Sequence, residues 1–115
     1  MKWFKHLRQR WTRGFDDTEL WSLDETIAEF ALPRLKAFRE REKMGYPFDI
    51  RSKLGYPDEH TDAAADECCT KHWQWILGEM IFFLDKEQWH FDQRQTARYV
   101  EAQQLFGQYF GDLWD

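Results

Sequence analysis

The first feature of the sequence that could bind a ligand is a proline followed closely by two cations. Arg34 and Lys36 follow Pro33 within a segment of helical periodicity, and a proline bends a helix. Arginine presents paired donors that match two phosphate oxygens, and a ring stacked on a base contributes roughly 1–3 kcal/mol. The sequence therefore predicts a site for a small anionic ligand, with Trp21, Tyr46 and Tyr56 for stacking on a base and Arg13, Arg34 and Lys36 for phosphate. The alternative is that the cations around Pro33 pair on a solvated surface with Glu25, Glu29, Glu40 and Glu42.

Glu87 and His90 have the spacing of a metal site. A glutamate and a histidine one helical turn apart recur in carboxylate-bridged metal bundles, which also need a second such pair and further carboxylates. A symmetry mate would have to supply that second pair, with His72 and Glu79 as further candidates on the same helix. A metal-dependent enzyme using Glu87 and His90 is therefore an alternative, and the main prediction is a protein without metal or cofactor.

Signals for catalysis are thin. The sequence has no phosphate-binding glycine loop, no nucleophile elbow, and no cysteine beside a histidine at the spacing of a known enzyme family. Cys69 lies on an apolar stripe, which is typical of a small core residue. We therefore expect a binding protein rather than an enzyme.

Aromatic residues are unusually abundant, with 10 Phe, 7 Trp and 4 Tyr making 18% of the 115 residues. Each can bury about 150–250 Å² when packed. A small helical core has no room for so much ring surface. We therefore expect some of it to meet a ligand or another subunit, which favours a homo-oligomer.

Charge is distributed unevenly along the chain. The net charge of -5 excludes a broadly basic surface for extended nucleic acid. Residues 1–14 carry five Lys or Arg and no acid, which leaves -10 for residues 15–115. This asymmetry favours contact between the basic leader and the acidic body, within one chain or between subunits, or capture of a small anion by the leader.

Four segments show helical periodicity. Residues 1–14 form a basic amphipathic leader with Trp3, Leu7 and Trp11 on one face, and Gly14 ends it. A capping box at Ser22 and Glu25 predicts a second helix from Leu23 to about Lys43. Residues 45–61 indicate a loop whose tyrosines attach it to the body. A long helix from about Asp62 to Trp89 and a last one capped by Asp92 or Gln95 complete the pattern.

The architecture that follows is all-α: one domain over residues 1–115, built as a small bundle of three main helices plus the short N-terminal amphipathic helix. No stretch approaches the roughly 20 apolar residues that cross a bilayer, so no membrane span is expected. The basic start lacks the apolar core of a secretion signal, and Cys68 and Cys69 are too poorly placed to bridge each other. These features predict a reducing cytoplasm.

Three segments carry motifs that resemble a family of short bacteriophage proteins. They are LWSLDETIAEFALPRLKAFRE at Leu20–Glu40, GEMIFF at Gly78–Phe83 and LFGQYFGDLWD at Leu105–Asp115. They match the family's Trp-x-Leu-Asp start, Pro-Arg-Leu-Lys helix, Met-Ile pair and Tyr-Phe-x-x-Leu-Trp close, over most of the chain from Arg13 onward. The resemblance implies a phage origin and action in the host cytoplasm.

Small phage proteins often act against host defence, and one class captures cyclic nucleotide signals as oligomeric sponges. The first hypothesis is therefore a non-enzymatic oligomer that sequesters a nucleotide signal of host defence. The second is a protein-interaction module, an inhibitor or adaptor that docks an aromatic surface on a host or phage protein. The metal-dependent enzyme described above is the third.

Overall fold

The computed structural model describes residues 2–41, 45–56 and 63–114, and every regular element in these ranges is helical. The predicted all-α class is confirmed. The helices are α1 (Lys2–Arg13), α2 (Thr18–Trp21), α3 (Leu23–Arg39), α4 (Phe48–Lys53), α5 (Ala63–Leu84), α6 (Phe91–Arg94) and α7 (Ala97–Tyr109), with 3-10 turns at Lys86–Gln88 and Phe110–Asp112. None of the helices in these ranges is both long and apolar enough to cross a membrane.

Helix α5 is the central element of the core. Its apolar stripe is buried as predicted, over Ala65, Cys69, Trp73, Ile76, Leu77, Met80 and Leu84. Helices α3 and α7 both pack against α5 and bury Leu35 and Tyr109 respectively, while α4 adds Ile50. One helix therefore organises the core of the part of the chain that the structure describes.

Two predicted helix boundaries and one predicted loop are corrected by the structure. Helix α5 ends at Leu84 rather than at Trp89, because Asp85 is extended and its carboxylate accepts a hydrogen bond from the Glu87 amide to begin a 3-10 turn. Helix α3 ends at Arg39, and Lys43 lies outside the described residues. The segment 45–61 contains α4, while its residues 57–61 lie outside the described residues.

The predicted helix caps also differ. Helix α3 does begin at Leu23, but the Ser22 side chain makes no capping hydrogen bond, and the Glu25 amide donates to its neighbour Asp24 at 2.8 Å. The last helix is capped by Thr96, whose hydroxyl accepts from the Tyr99 amide at 3.2 Å. The predicted caps Asp92 and Gln95 are taken up by the separate helix α6 and its C-terminal end.

Removing the hydroxyl of Thr96 tests this assignment. Thr96→Ala is expected to lower the free energy of unfolding by about 1 kcal/mol, since an N-cap acceptor is lost. Ser22→Ala is the matched control and is expected to change it by less than about 0.5 kcal/mol. Urea unfolding followed by far-ultraviolet circular dichroism measures both. A larger loss from Ser22→Ala than from Thr96→Ala would contradict the caps seen here.

Candidate interaction surface

The polar side of α1 is attached to the chain segment that follows it. The Arg10 guanidinium donates to the Asp16 carboxylate at 2.6 Å. Three other side chains of α1 bind the carboxylate of Asp17, at 2.7 to 3.3 Å: Lys5, Gln9 and Arg13. Gly14 permits the return of the chain, with φ of +83° as its predicted left-handed turn requires. We call the contacts of Asp16 and Asp17 with α1 the aspartate clamp.

The aspartate clamp is charged over the physiological pH range. Asp16 is buried, and the hydrogen bond from Arg10, supported by Thr18, lowers the pKa of Asp16 to about 2. The hydrogen bond from Gln9 and the one from Arg13 lower the pKa of Asp17 well below its usual range. Both carboxylates therefore stay ionised, and they hold the polar face of α1 against the turn.

The apolar side of α1 faces solvent. No residue of α1 is buried, and four of its side chains are between 52% and 87% exposed: Trp3, Phe4, Leu7 and Trp11. At 3.6 residues per turn these four fall within an arc of roughly 100°, whereas Lys5, Gln9 and Arg13 fall on the opposite side. We call these four side chains the aromatic face of α1. The helix is thus inverted relative to a normal surface helix, which turns its apolar side to the core.

Most tryptophans of the chain are outside the core. Trp73 is 1% exposed and packs edge-on against Tyr109. Five of the seven are exposed, including Trp75 and Trp114 as well as the tryptophans of α1 and α2. A single copy of the chain therefore exposes much of its aromatic surface, as the composition predicts.

A cleft of about 580 Å³ opens between the end of α1, helix α2 and the first half of α3. Its walls include Trp21 and Phe30, which are 71% and 63% exposed. Three carboxylates line it, from Glu19, Glu25 and Glu29. Within the described ranges Arg10 is the cation of this lining, and it is engaged by Asp16 and lies 3.9 Å from Glu19. We call this the acidic cleft, because its lining carries more negative than positive charge.

The six residues predicted for an anionic ligand are spread over separate places. Trp21 alone of the six lines the acidic cleft. Arg13 is held by Asp17 and lies over the ring of Phe15 at 4.4 Å. Arg34 folds back on its own helix, where it donates to the Phe30 carbonyl at 2.9 Å and lies 3.8 Å from the centre of that ring. Lys36 is exposed on α3.

The two predicted stacking tyrosines lie where α4 meets α5. Tyr46 and Tyr56 are partly buried against the core, which confirms that tyrosines attach this segment to the body. The Tyr46 hydroxyl donates to Asp66 at 2.5 Å and accepts from Arg51 at 2.7 Å. The bond to Asp66 also raises the pKa of Tyr46. The contacts of Tyr46 therefore join α4 to α5 and leave it apart from Trp21.

The premise of the predicted metal site is wrong. Because α5 ends at Leu84, Glu87 and His90 do not lie one turn apart on a helix, and both are exposed. Glu79 instead pairs with Arg98 at 3.2 Å, and His72 stacks on Trp75. Across the described ranges no three His, Cys, Asp or Glu side chains are grouped so as to hold a metal ion.

Comparison of the chain with protein-family models, curated proteins and solved structures finds no match. The similarity to short phage proteins and the action in a host cytoplasm thus stay predictions. Any function must be argued from the two surfaces just described.

Sequence reasoning found some of these functional residues and missed others. It identified the face of α1 and the charge asymmetry between leader and body, but it did not identify Asp16 and Asp17 as the contact. Its alternative paired Glu25 and Glu29 with cations of α3, whereas Glu29 binds Lys86 at 2.8 Å and both glutamates line the acidic cleft. The available signal was a run of six acids without a base over residues 14–33.

Titration of the aspartates tests the clamp. Because Arg10 lowers the pKa of Asp16 to about 2, from an ordinary value of about 3.9, its stabilising effect is complete above about pH 4 and is lost as the pH falls through 2. Arg10→Gln should move the pKa of Asp16 toward its ordinary value, while Arg8→Gln should leave it unchanged. Carboxyl carbon chemical shifts followed by nuclear magnetic resonance report both. An Asp16 that titrates normally in the unmodified chain would rule out the clamp.

Proposed function

We propose that this protein is a non-enzymatic interaction module that binds another protein through the aromatic face of α1. The inverted orientation of α1 is the observation that supports this. Trp3, Phe4, Leu7 and Trp11 are exposed, while Gln9 and Arg13 on the other side of the helix are bound by Asp17. Burial of a large apolar side chain is worth about 1.5–3 kcal/mol, so a partner that covers this face gains substantial binding energy.

The shape of the molecule also favours a binding module. Its radius of gyration is 18.2 Å, and its extents are 63 × 34 × 19 Å. A compact domain of this length has a radius of gyration of about 13 Å. An extended and flat chain covers little of its own helix surface, and the faces left open are available to partners.

The chemistry of α1 specifies the kind of partner. Tryptophan and arginine are the residues that most often dominate binding energy at protein interfaces. Arg8 lies one helical turn from Phe4 and from Trp11, so a cation flanks the aromatic face. The complementary surface is an apolar groove with carboxylates at its rim, and opposite charge at a rim accelerates association. Such a module acts as an adaptor or inhibitor.

Nucleotide capture stays a prediction, and it has less support. The cleft beside Trp21 is lined by Glu19, Glu25 and Glu29, which repel phosphate, and Arg34 is engaged with its own helix. If the protein were such a sponge, calorimetry with a panel of cyclic nucleotides would give stoichiometric heat, and Arg34→Ala would abolish it. The acidic lining leads us to expect no stoichiometric heat with the unmodified chain.

Site-specific photocrosslinking tests the proposed function. A benzophenone amino acid at Trp11 of the full chain is expected to give discrete adducts with protein in cells that express it, because this position is 87% exposed at the tip of the aromatic face. The same group at Thr12, which is exposed on the other side of α1, is the matched control. Adducts equally strong from both positions, or protein adducts from neither, would disprove docking through the aromatic face.

A further inference from the structure

We infer that the partner of α1 is a second copy of this chain, and that the aromatic face of α1 from each copy lies in the acidic cleft of the other. This inference rests on the proposed function, since it names the partner that the aromatic face binds. Four observations carry it: the position of the cleft, the charges of the two surfaces, the rings in each, and the area available.

The acidic cleft is not lined by the aromatic face of its own chain. Arg10, at the C-terminal end of α1, is the α1 residue that lines the cleft, and the aspartate clamp fixes this end to the turn. None of Trp3, Phe4, Leu7 and Trp11 lines it. The same clamp that aims the aromatic face outward therefore leaves the cleft open for an α1 from elsewhere.

Charges on the two surfaces are complementary. Residues 1–13 hold five cations and no acid, and residues 14–33 hold six acids and no base. The intrachain pairs use Lys5, Arg10 and Arg13 of α1, and they satisfy the first acids of that run. Lys2 and Arg8 are not used by these pairs, nor is Glu25 of α3. Opposite charges therefore remain on both surfaces after the clamp has formed.

The acidic cleft suits a segment that is both cationic and aromatic. Glu29 already pairs with Lys86 at 2.8 Å, whereas Glu25, one turn earlier on α3, is placed to take an incoming cation. Trp21 is 71% exposed beside these carboxylates, with only an edge contact to His6 of its own chain at 6.1 Å among the ring contacts of the described residues, and an arginine over its face is attracted to it. Phe30 already has Arg34 over one face of its ring. The face of α1 that carries Arg8 among Phe4 and Trp11 has both properties.

The apolar surface is large enough for a stable dimer. Leu20, the neighbour of Trp21 on α2, is exposed at half of its surface, whereas Ile27 lines a separate cleft with Phe83. Leu20, Trp21 and Phe30 are the apolar side chains available to an incoming α1. Exchange of two α1 helices about a twofold axis forms this contact twice and buries roughly 1,500–2,000 Å² in all, the size of a standard stable interface.

Sedimentation equilibrium of the full chain tests this exchange. The unmodified protein is expected to form dimers, and Trp11→Ala and Trp21→Ala are each expected to raise the dissociation constant roughly thirtyfold or more. Trp114→Ala removes a ring that is equally exposed but lies outside both surfaces, and it should leave the constant within about twofold. All three side chains are exposed, so the fold should persist, and circular dichroism of each variant checks this.

Mixing the two defective variants separates helix exchange from any other dimer. In a mixed dimer, α1 of the Trp21→Ala chain has an intact aromatic face, and it binds the intact acidic cleft of the Trp11→Ala chain. One complete contact is thereby restored. The mixed dimer should therefore be tighter than either variant alone, because the coupled losses fall on one contact. Arg8→Glu with Glu25→Arg gives a second such pair that depends on charge rather than on ring burial.

The outcomes distinguish this inference from the proposed function. A dimer without complementation in either mixture overturns the exchange. If the chain is a monomer and the benzophenone group at position 11 crosslinks to a different protein, the exchange is overturned. The proposed interaction module is then retained. Binding to phosphatidylglycerol vesicles that needs Trp11, with neither dimers nor protein adducts, overturns both.

Discussion

The burial of helix α5 holds α3, α4 and α7 in place, and the surface of one helix limits how many neighbours can pack on it. Its stripe from Ala65 to Leu84 packs against α3, α4 and α7. A single central helix in a molecule 19 Å thick leaves few fully enclosed positions. Trp73 occupies one of them, and most other tryptophans are placed where they meet solvent or a partner.

The aspartate clamp decides what the leader does with its apolar side. An isolated twelve-residue helix is marginal in water, and it normally gains stability by burying its apolar stripe. Here α1 gains its contacts through Arg10, Asp16 and Asp17 instead. Its polar side is anchored by groups whose pKa values lie well below neutrality. The clamp therefore fixes the orientation of the aromatic face before a partner binds. This preorganisation lowers the entropy cost of docking.

The acidic cleft shows how one segment can serve two purposes. Residues 14–33 first satisfy the cations of α1 within the chain, and they then expose Glu25, Glu29 and two rings on α3 and the end of α2. A surface of this composition attracts cationic groups and repels phosphate. The same electrostatics that weaken the case for nucleotide capture strengthen the case for a basic aromatic helix as the occupant.

Periodicity and composition in the sequence determined the helical class, the buried stripe of α5, the left-handed turn at Gly14 and the excess of aromatic surface. These are local properties, because spacing decides which side chains share a face of a helix. Tertiary structure alone decided which face of α1 meets the chain, since both its cations and its rings have favourable partners. It also placed Tyr46 away from Trp21, ended α5 at Leu84 and brought Glu25 beside Trp21, because such contacts depend on where separate segments meet.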